Sequence, residues 1–393
     1  MSSTADPSYV PRHARTTSPA LTDDRRPLFD PAQSGRLAVQ GWLVSRLLVI
    51  LVALIQSAVT TRPLPDVMIQ WDVVHYIAIA EHGYTTLTQA AFFPGLPALL
   101  AGFGLIGVPP LVTGTLISIG ASGFAAWALY RMAGRGVAGA IAALAWSFAP
   151  MAVFTVVPYT EALFCAVGFW SIWRAMEGRW AAAAVLACLA SLTRVSGLFL
   201  IGTLVLMAVF ARPRSWSLFW SRLKWLGLPV LALFAYVTYL RWRFGSWTAW
   251  FDAQSQGWGR SFHWPWEAIR ATADAAGITA PLTSVSVIFQ WELLAWVVGV
   301  LLTIWCLAHR EVPWAAWIGV QLVAFSSQAW LISLARSMIT WYPLCLGLAA
   351  VAGRLAQPGP NRLRRIGFLV GFAIIIGCEL WWANRFFSGA WSG

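Results

Sequence analysis

Residues 70–97, QWDVVHYIAIAEHGYTTLTQAAFFPGLP, gather an Asp, two His and a Glu just after a long apolar run. A helix starting near Asp72 places Asp72, His75, Ile79 and His82 on one stripe and Val73, Tyr76, Ile77 and Ala80 towards the other side. A carboxylate beside Trp71, at the mouth of a helical bundle, suits general-base work: it takes a proton from a hydroxyl, and burial can tune its affinity for that proton. Asp72, His75 and His82 together would also admit a divalent metal, although their spacing matches no zinc motif. The plainer alternatives are that Asp72 caps the helix and that the histidines are polar residues at an interface.

Three further segments carry chemistry-bearing residues. In PYTE, Tyr159 and Glu161 stand at a helix start, where an acid in the first turn meets the positive end of the helix dipole. In SLTRVSG, Arg194 lies between two short apolar runs. An arginine at such depth needs a partner or a ligand. Its forked donors suit a lipid-linked phosphate or pyrophosphate, and an ion pair with Glu161 is the competing arrangement. The loop 241–284 mixes Arg241, Arg243, Asp252, Arg260 and His263 with a run of tryptophans. Those rings either anchor the chain at a membrane interface or stack on sugar faces. Arg260, in WGR, is the second phosphate candidate. Gly83 reads as a helix C-cap, and Pro94 and Pro97 break the segment that follows. No GxGxxG follows a strand, and the Walker glycine loop, the GxSxG elbow and HExxH are missing from the sequence. A donor carried by a membrane lipid needs no nucleotide domain.

The elements that hold these residues are membrane helices. Mean hydropathy is +0.67. Hydrophobic residues make up 59% of the chain and charged residues only 11%, against roughly 25% in soluble proteins. The net charge of +12 does not point to nucleic acid, because the arginines sit in short clusters between apolar runs, as in cytoplasmic loops of membrane proteins. The five cysteines lie inside apolar runs and read as packing residues. Lys224 is the only lysine; with abundant Ala this suggests GC-rich codon usage and a bacterial plasma membrane. Residues 1–36, rich in Ser, Thr, Pro, Asp and Arg, are expected to be a disordered cytoplasmic tail.

The fold class expected is an all-α polytopic bundle of about eleven spans, at 37–59, 110–130, 136–156, 160–174, 180–193, 196–211, 223–240, 285–307, 313–333, 338–353 and 366–384. Residues 37–393 then form one transmembrane domain with outer loops near 60–109 and 241–284. Several runs are shorter than the ~20 residues of a full span. The segment 92–108 is apolar but broken by Pro94, Pro97 and glycines. If it does not cross, more than twice as many basic residues fall inside as outside; if it crosses, the two sides are nearly even. The first threading obeys the positive-inside rule, so 92–108 is expected to be a re-entrant or interfacial helix on the outer side. That threading puts the N-terminus in the cytoplasm and gathers residues 70–97, PYTE, SLTRVSG, the loop 241–284 and LARS (334–337) on the outer face.

WDxxHYxxIAxxGY followed by AFFPxxP (71–97), then PYTEALF, LASLTRVSGL and RFGSWTAWFDAQSQGWGR, is similar to the pattern of the PIG-V mannosyltransferases, of the GT-C class of polytopic glycosyltransferases, over residues 70–260. The C-terminal third matches weakly: ARSMITWYP stands where an Arg-Tyr pair before a late Phe-Pro segment is expected, and GSW where an acidic residue and Pro often sit. The resemblance implies a GT-C fold and a polyprenyl-phosphate-mannose donor used on the outer face. It implies inverting transfer to a hydroxyl of a glycolipid, lipoglycan or protein acceptor. Asp72 would be the general base and His75 its assistant. Trp71, Tyr84, Tyr159, Glu161, Arg194 and Arg260 form the expected substrate-binding set, the two arginines holding the departing phosphate. Metal dependence is left open. A transporter for a lipid-linked or small anionic substrate is the rival reading, opposed by the gathering of polar residues on one face and the lack of a repeat.

Overall fold

A computed structural model describes residues 31–355 and 362–391, and among these there is no strand. The helices are α1 (Pro31–Thr60), α2 (Leu64–Met68), α3 (Asp72–His82), α4 (Gly95–Gly104), α5 (Pro110–Met132), α6 (Gly136–Ser147), α7 (Thr160–Met176), α8 (Trp180–Ser191) and α9 (Ser196–Phe210). They continue with α10 (Trp216–Leu223), α11 (Gly227–Phe244), α12 (Ala249–Trp258), α13 (Pro265–Ala275), α14 (Ser286–Ala308), α15 (Val312–Ser326), α16 (Leu334–Ser337), α17 (Tyr342–Leu355) and α18 (Arg362–Phe387). The expected tail lies outside the described residues as far as residue 30. Residues 31–36 instead open α1, with Pro31 at its first position, where a missing N–H costs nothing.

Five helical segments are long and apolar enough to cross a membrane: Gln33–Thr60, Pro110–Met132, Trp216–Phe244, Ser286–Ala308 and Leu369–Phe387. A sixth is a broken pair, Leu334–Thr340 with Tyr342–Ala352, bent by 68°. The remaining expected runs are helical but shorter, at 12 residues for α6 and α8, 15 for α9 and α15 and 17 for α7. The run 136–156 shows why. α6 stops at Ser147, ahead of Pro150, and a 3₁₀ turn at Ala152–Thr155 carries the chain on. α4 has 10 residues, about 15 Å at 1.5 Å per residue, half of a ~30 Å hydrocarbon layer. It is too short for a full crossing, and its prolines and glycines account for the break.

Packing divides into two apolar clusters. In the larger, α7 packs between α5 and α8. Ala125, Ala128, Ala166, Ala183 and Ala187 are buried there, and small residues let membrane helices approach closely where lipid supplies no hydrophobic drive. The smaller cluster joins α3, α4, α11 and α12 through Tyr76, Ile79, Tyr84, Phe92, Phe93, Leu96, Tyr236 and Leu240. α3 spans the seam: Val73 belongs to the large cluster, Tyr76 and Ile79 to the small one. Residues between those faces are therefore held at the junction of the two.

One close approach fixes the seam. The Gly95 N–H donates to the Leu192 carbonyl at 2.7 Å. A Cβ on Gly95 would fall 2.7 Å from the same oxygen. This contact ties the start of α4 to the turn between α8 and α9 that carries Arg194. Gly102, on the same helix, faces open space. Gly95→Ala is expected to cost about 1–3 kcal/mol, while Gly102→Ala is neutral or stabilising by up to about 1 kcal/mol. Thermal unfolding of the two variants in detergent checks this, and equal midpoints would contradict it.

Candidate active site

The chain enters α3 through Trp71, whose φ of 54° and ψ of −124° lie where a bulky residue is strained. Trp71 is the N-cap and Asp72 the first helical residue, so Asp72 does not serve as the cap. The Asp72 N–H instead donates to the Tyr159 hydroxyl at 3.2 Å, which satisfies one of the amides a helix start leaves open. The side chain is thus released towards the bundle, with 22% of its surface exposed. At the other end Gly83, at φ 72°, closes the helix as expected, its N–H bonding the Ile79 carbonyl at 2.8 Å.

The Asp72 carboxylate belongs to a chain of charges. Arg336 Nη1 lies 3.5 Å from Asp72 Oδ2, and Arg336 Nε lies 3.3 Å from Glu161 Oε1. Arg194 Nη1 lies 2.5 Å from the same Glu161 oxygen. Glu161, at 1% exposure, is shared by two guanidinium groups. These are Coulombic contacts rather than aligned hydrogen bonds, because neither Glu161 oxygen finds a donor with hydrogen-bonding geometry. Phe154 and Tyr159 lie 5.1 and 5.7 Å beneath the Arg336 guanidinium, a cation–π floor. Arg194 also donates to Thr160 Oγ1 at 3.1 Å, which lies 3.3 Å from the Tyr76 hydroxyl. Burial, with Asp72 and Glu161 nearby, pushes the Tyr76 phenol well above its usual value; burial and Asp72 do the same to Tyr159. Both stay neutral hydroxyls able to donate.

Arg260 completes the cluster differently. Gly259, at φ 61°, ends α12 and turns the chain so that Arg260 follows directly. Desolvation by burial, then the neighbouring Arg336, lowers its pKa to about 10, with Asp72 opposing and Arg194 adding to the fall. It remains a cation at neutral pH. Its buried Nε has no hydrogen-bond partner, and among the described residues it forms no ion pair. Arg194 and Arg336 pair with Glu161 and Asp72, while Arg260 forms no ion pair among the described residues and feels Asp72 and Glu292 only at longer range. An anion in front of it would complete the set.

The other expected site residues are placed as follows. His75 stacks on Phe92, centroids 4.8 Å apart, with Trp258 at 6.4 Å, and no hydrogen bond joins it to Asp72. Trp71 is exposed beside Asp72. Tyr84 is buried in the smaller apolar cluster, its hydroxyl donating to the Phe92 carbonyl at 2.6 Å, away from the charges. His82 is exposed at the end of α3. Among the described residues no group of three His, Cys, Asp or Glu side chains is placed to hold a metal, so Asp72, His75 and His82 do not converge as a ligand set. Glu292 carries no signal in the sequence, and Arg336 enters there only through ARSMITWYP, where the resemblance expects an Arg-Tyr pair, and not as a member of the site. The LARS segment signalled only an outer-face arginine.

The fold is similar to that of the Archaeoglobus fulgidus oligosaccharyltransferase in its apo form, with a TM-score of 0.50 at 13% identity, covering 91% of this chain and 56% of that one. This is a GT-C fold. Residues 44–213 match the family model described as Mannosyltransferase (PIG-V). The chain is similar to the human GPI alpha-1,6-mannosyltransferase 2, 33% identical over 149 residues, which cover 34% of this chain and 30% of that protein. The mouse protein of the same description is 35% identical over 150 residues, with 35% and 30% covered. The match thus spans under a third of these relatives' length. The family-model match at 44–213 holds Asp72, Tyr159, Glu161 and Arg194, and it stops short of Arg260, Glu292 and Arg336.

Glu161→Gln leaves Arg194 and Arg336 without their shared counter-charge. The variant is expected to lose on the order of 3 kcal/mol of stability, the usual cost of stripping one partner from a buried ion pair. Chemical or thermal unfolding in detergent reads this; an unchanged midpoint would mean that the triad is not electrostatically coupled.

Proposed function

We propose that the protein is a membrane mannosyltransferase that moves mannose from a polyprenyl-phosphate donor to an acceptor hydroxyl, with inversion, on the outer face of a bacterial plasma membrane. The acceptor is a glycolipid, lipoglycan or protein. The observation that carries this reading is the chain Asp72–Arg336–Glu161–Arg194 with Arg260 beside it and in no ion pair among the described residues. One carboxylate is available to take a proton, and a cation without a contact partner is available to hold a phosphate.

The roles follow from charge and reach. Asp72 accepts the proton of the acceptor hydroxyl as its oxygen bonds the anomeric carbon. The bond from that carbon to the phosphate oxygen breaks, and its electron pair leaves with the phosphate. Arg260 meets the negative charge that develops there, with Arg336 and Arg194 supporting it from within a desolvated cluster, where such interactions are strongest. Arg336 also fixes the orientation of Asp72 through their contact. Trp71, exposed next to the base, offers a face on which a sugar ring can stack. His75 shapes the α12 side of the site through its stack on Phe92 rather than by relaying a proton. The arrangement of basic loops in the sequence supports a cytoplasmic N-terminus and an extracytoplasmic site.

The test is transfer of radiolabelled mannose from polyprenyl-phosphate-mannose in membranes, comparing wild type with Asp72→Asn at matched expression. Asp72→Asn is expected to lower transfer roughly a hundredfold to ten-thousandfold. Equal transfer by the two proteins would remove Asp72 as the base. Transfer by neither would overturn the mannosyltransferase reading.

A further inference from the structure

The reach of Arg336 to both carboxylates depends on a short turn, and that turn has its own anchor. Ser333 sits in the left-handed region, φ 64° and ψ 13°, immediately before α16. A serine there is strained and needs an external hold. Glu292, on α14 and 1% exposed, supplies it. Its Oε1 accepts the Ser333 N–H at 2.8 Å and its Oε2 accepts the Ala335 N–H at 2.9 Å. One carboxylate thereby binds two backbone amides of the turn, as an anion does at the start of a helix. The turn is strapped on other sides as well: Thr272 Oγ1 accepts the Leu331 N–H at 2.8 Å, and Trp146 and Trp317 donate to the carbonyls of Ile339 and Thr340. Only the Glu292 contacts fall within the residues that aim Arg336. Arg336 Nη2 reaches back to Ser333 Oγ at 3.3 Å, so the turn conformation and the guanidinium position are linked.

We propose that Glu292 is a positioning residue for the transfer reaction: by clamping the amides of Ser333 and Ala335 it holds Arg336 between Asp72 and Glu161. Glu292 touches neither the reacting atoms nor Asp72. Its effect passes through backbone geometry, about one helical turn from the catalytic carboxylate's partner. This role rests on the mannosyltransferase reading above, and the clamp itself does not.

Glu292→Gln keeps the side chain's size but replaces one acceptor with an amide donor that opposes the facing N–H. Two measurements are made on the full-length protein in detergent or nanodiscs. Hydrogen exchange over residues 331–337 is expected to quicken roughly tenfold or more relative to wild type. In the mannose transfer assay, corrected for folded protein, kcat is expected to fall roughly ten- to hundredfold, with KM for the donor nearly unchanged. Adding Ser333→Gly, which adopts the left-handed conformation without strain, is expected to restore part of kcat. Unchanged exchange overturns the clamp. Quickened exchange with wild-type kcat overturns the positioning role, as does a fall in kcat that merely tracks the folded fraction or that Ser333→Gly leaves unrelieved. A wild type that transfers nothing overturns the mannosyltransferase reading and the positioning role together, while the exchange comparison still decides the clamp.

Discussion

The contact on which the site depends is the sharing of the buried Glu161 carboxylate between Arg194 and Arg336. Three parts of the chain meet there: the start of α7, the turn between α8 and α9, and the turn at α16. An isolated charge at 1% exposure would be costly, and each arginine alone would be as well. Together they compensate one another, and the second arginine is left able to reach Asp72. Arg260 enters the same desolvated space without an ion pair of its own among the described residues, with Asp72 and Glu292 acting on it only at longer range. A cation left without a contact partner in a desolvated cluster suits an anionic ligand.

A charge cluster of this kind needs stiff surroundings, and the apolar packing supplies them. α3 bridges the two clusters, so Asp72 cannot move independently of either. Beneath it, Tyr159 receives the Asp72 amide and lies under Arg336, so one aromatic ring orients both partners of an ion pair. Gly95 brings the outer segment within backbone contact of Leu192, which fixes Arg194 relative to α3 and α4. A second polar group is buried between the long helices α1 and α18. There Ser45 links Glu379 to Arg46, and Arg46 also bonds Thr155 and the Ser147 carbonyl. Thr155 neighbours Phe154 in the cation–π floor, so this group braces the site from below.

Much of this was legible in the sequence, because side chains that are costly in a membrane stand out there. Asp72, Glu161, Arg194 and Arg260 each stand out as charges amid apolar or aromatic residues, and an ion pair with Glu161 is one of the two arrangements open to Arg194. The shortness of α4 is legible from its prolines and glycines. What the sequence hid depends on long-range geometry. Arg336 and Asp72 are 264 positions apart, and no local periodicity encodes their contact. Glu292 sits in an apolar helix whose pattern says nothing about the turn it binds. His75 and Tyr84 share a motif with Asp72, yet α3 turns His75 towards Phe92, and Tyr84, beyond the helix end at Gly83, packs into the smaller apolar cluster. Helix lengths were misjudged where a proline or a 3₁₀ turn cuts an apolar run short, as at Pro150.

The proposed chemistry requires Arg260, the cation of the cluster that holds no ion pair among the described residues, to receive the phosphate of a lipid carrier. The most direct measurement is the affinity of polyprenyl phosphate, the leaving group alone, for wild type and for Arg260→Gln in the same detergent. Wild type is expected to bind and the variant to bind at least roughly tenfold more weakly, a difference of about 1.4 kcal/mol, with binding falling as salt is added. Equal, salt-insensitive affinity in the two proteins would contradict the account, since the lipid would then be held by its chain and not by the charge cluster.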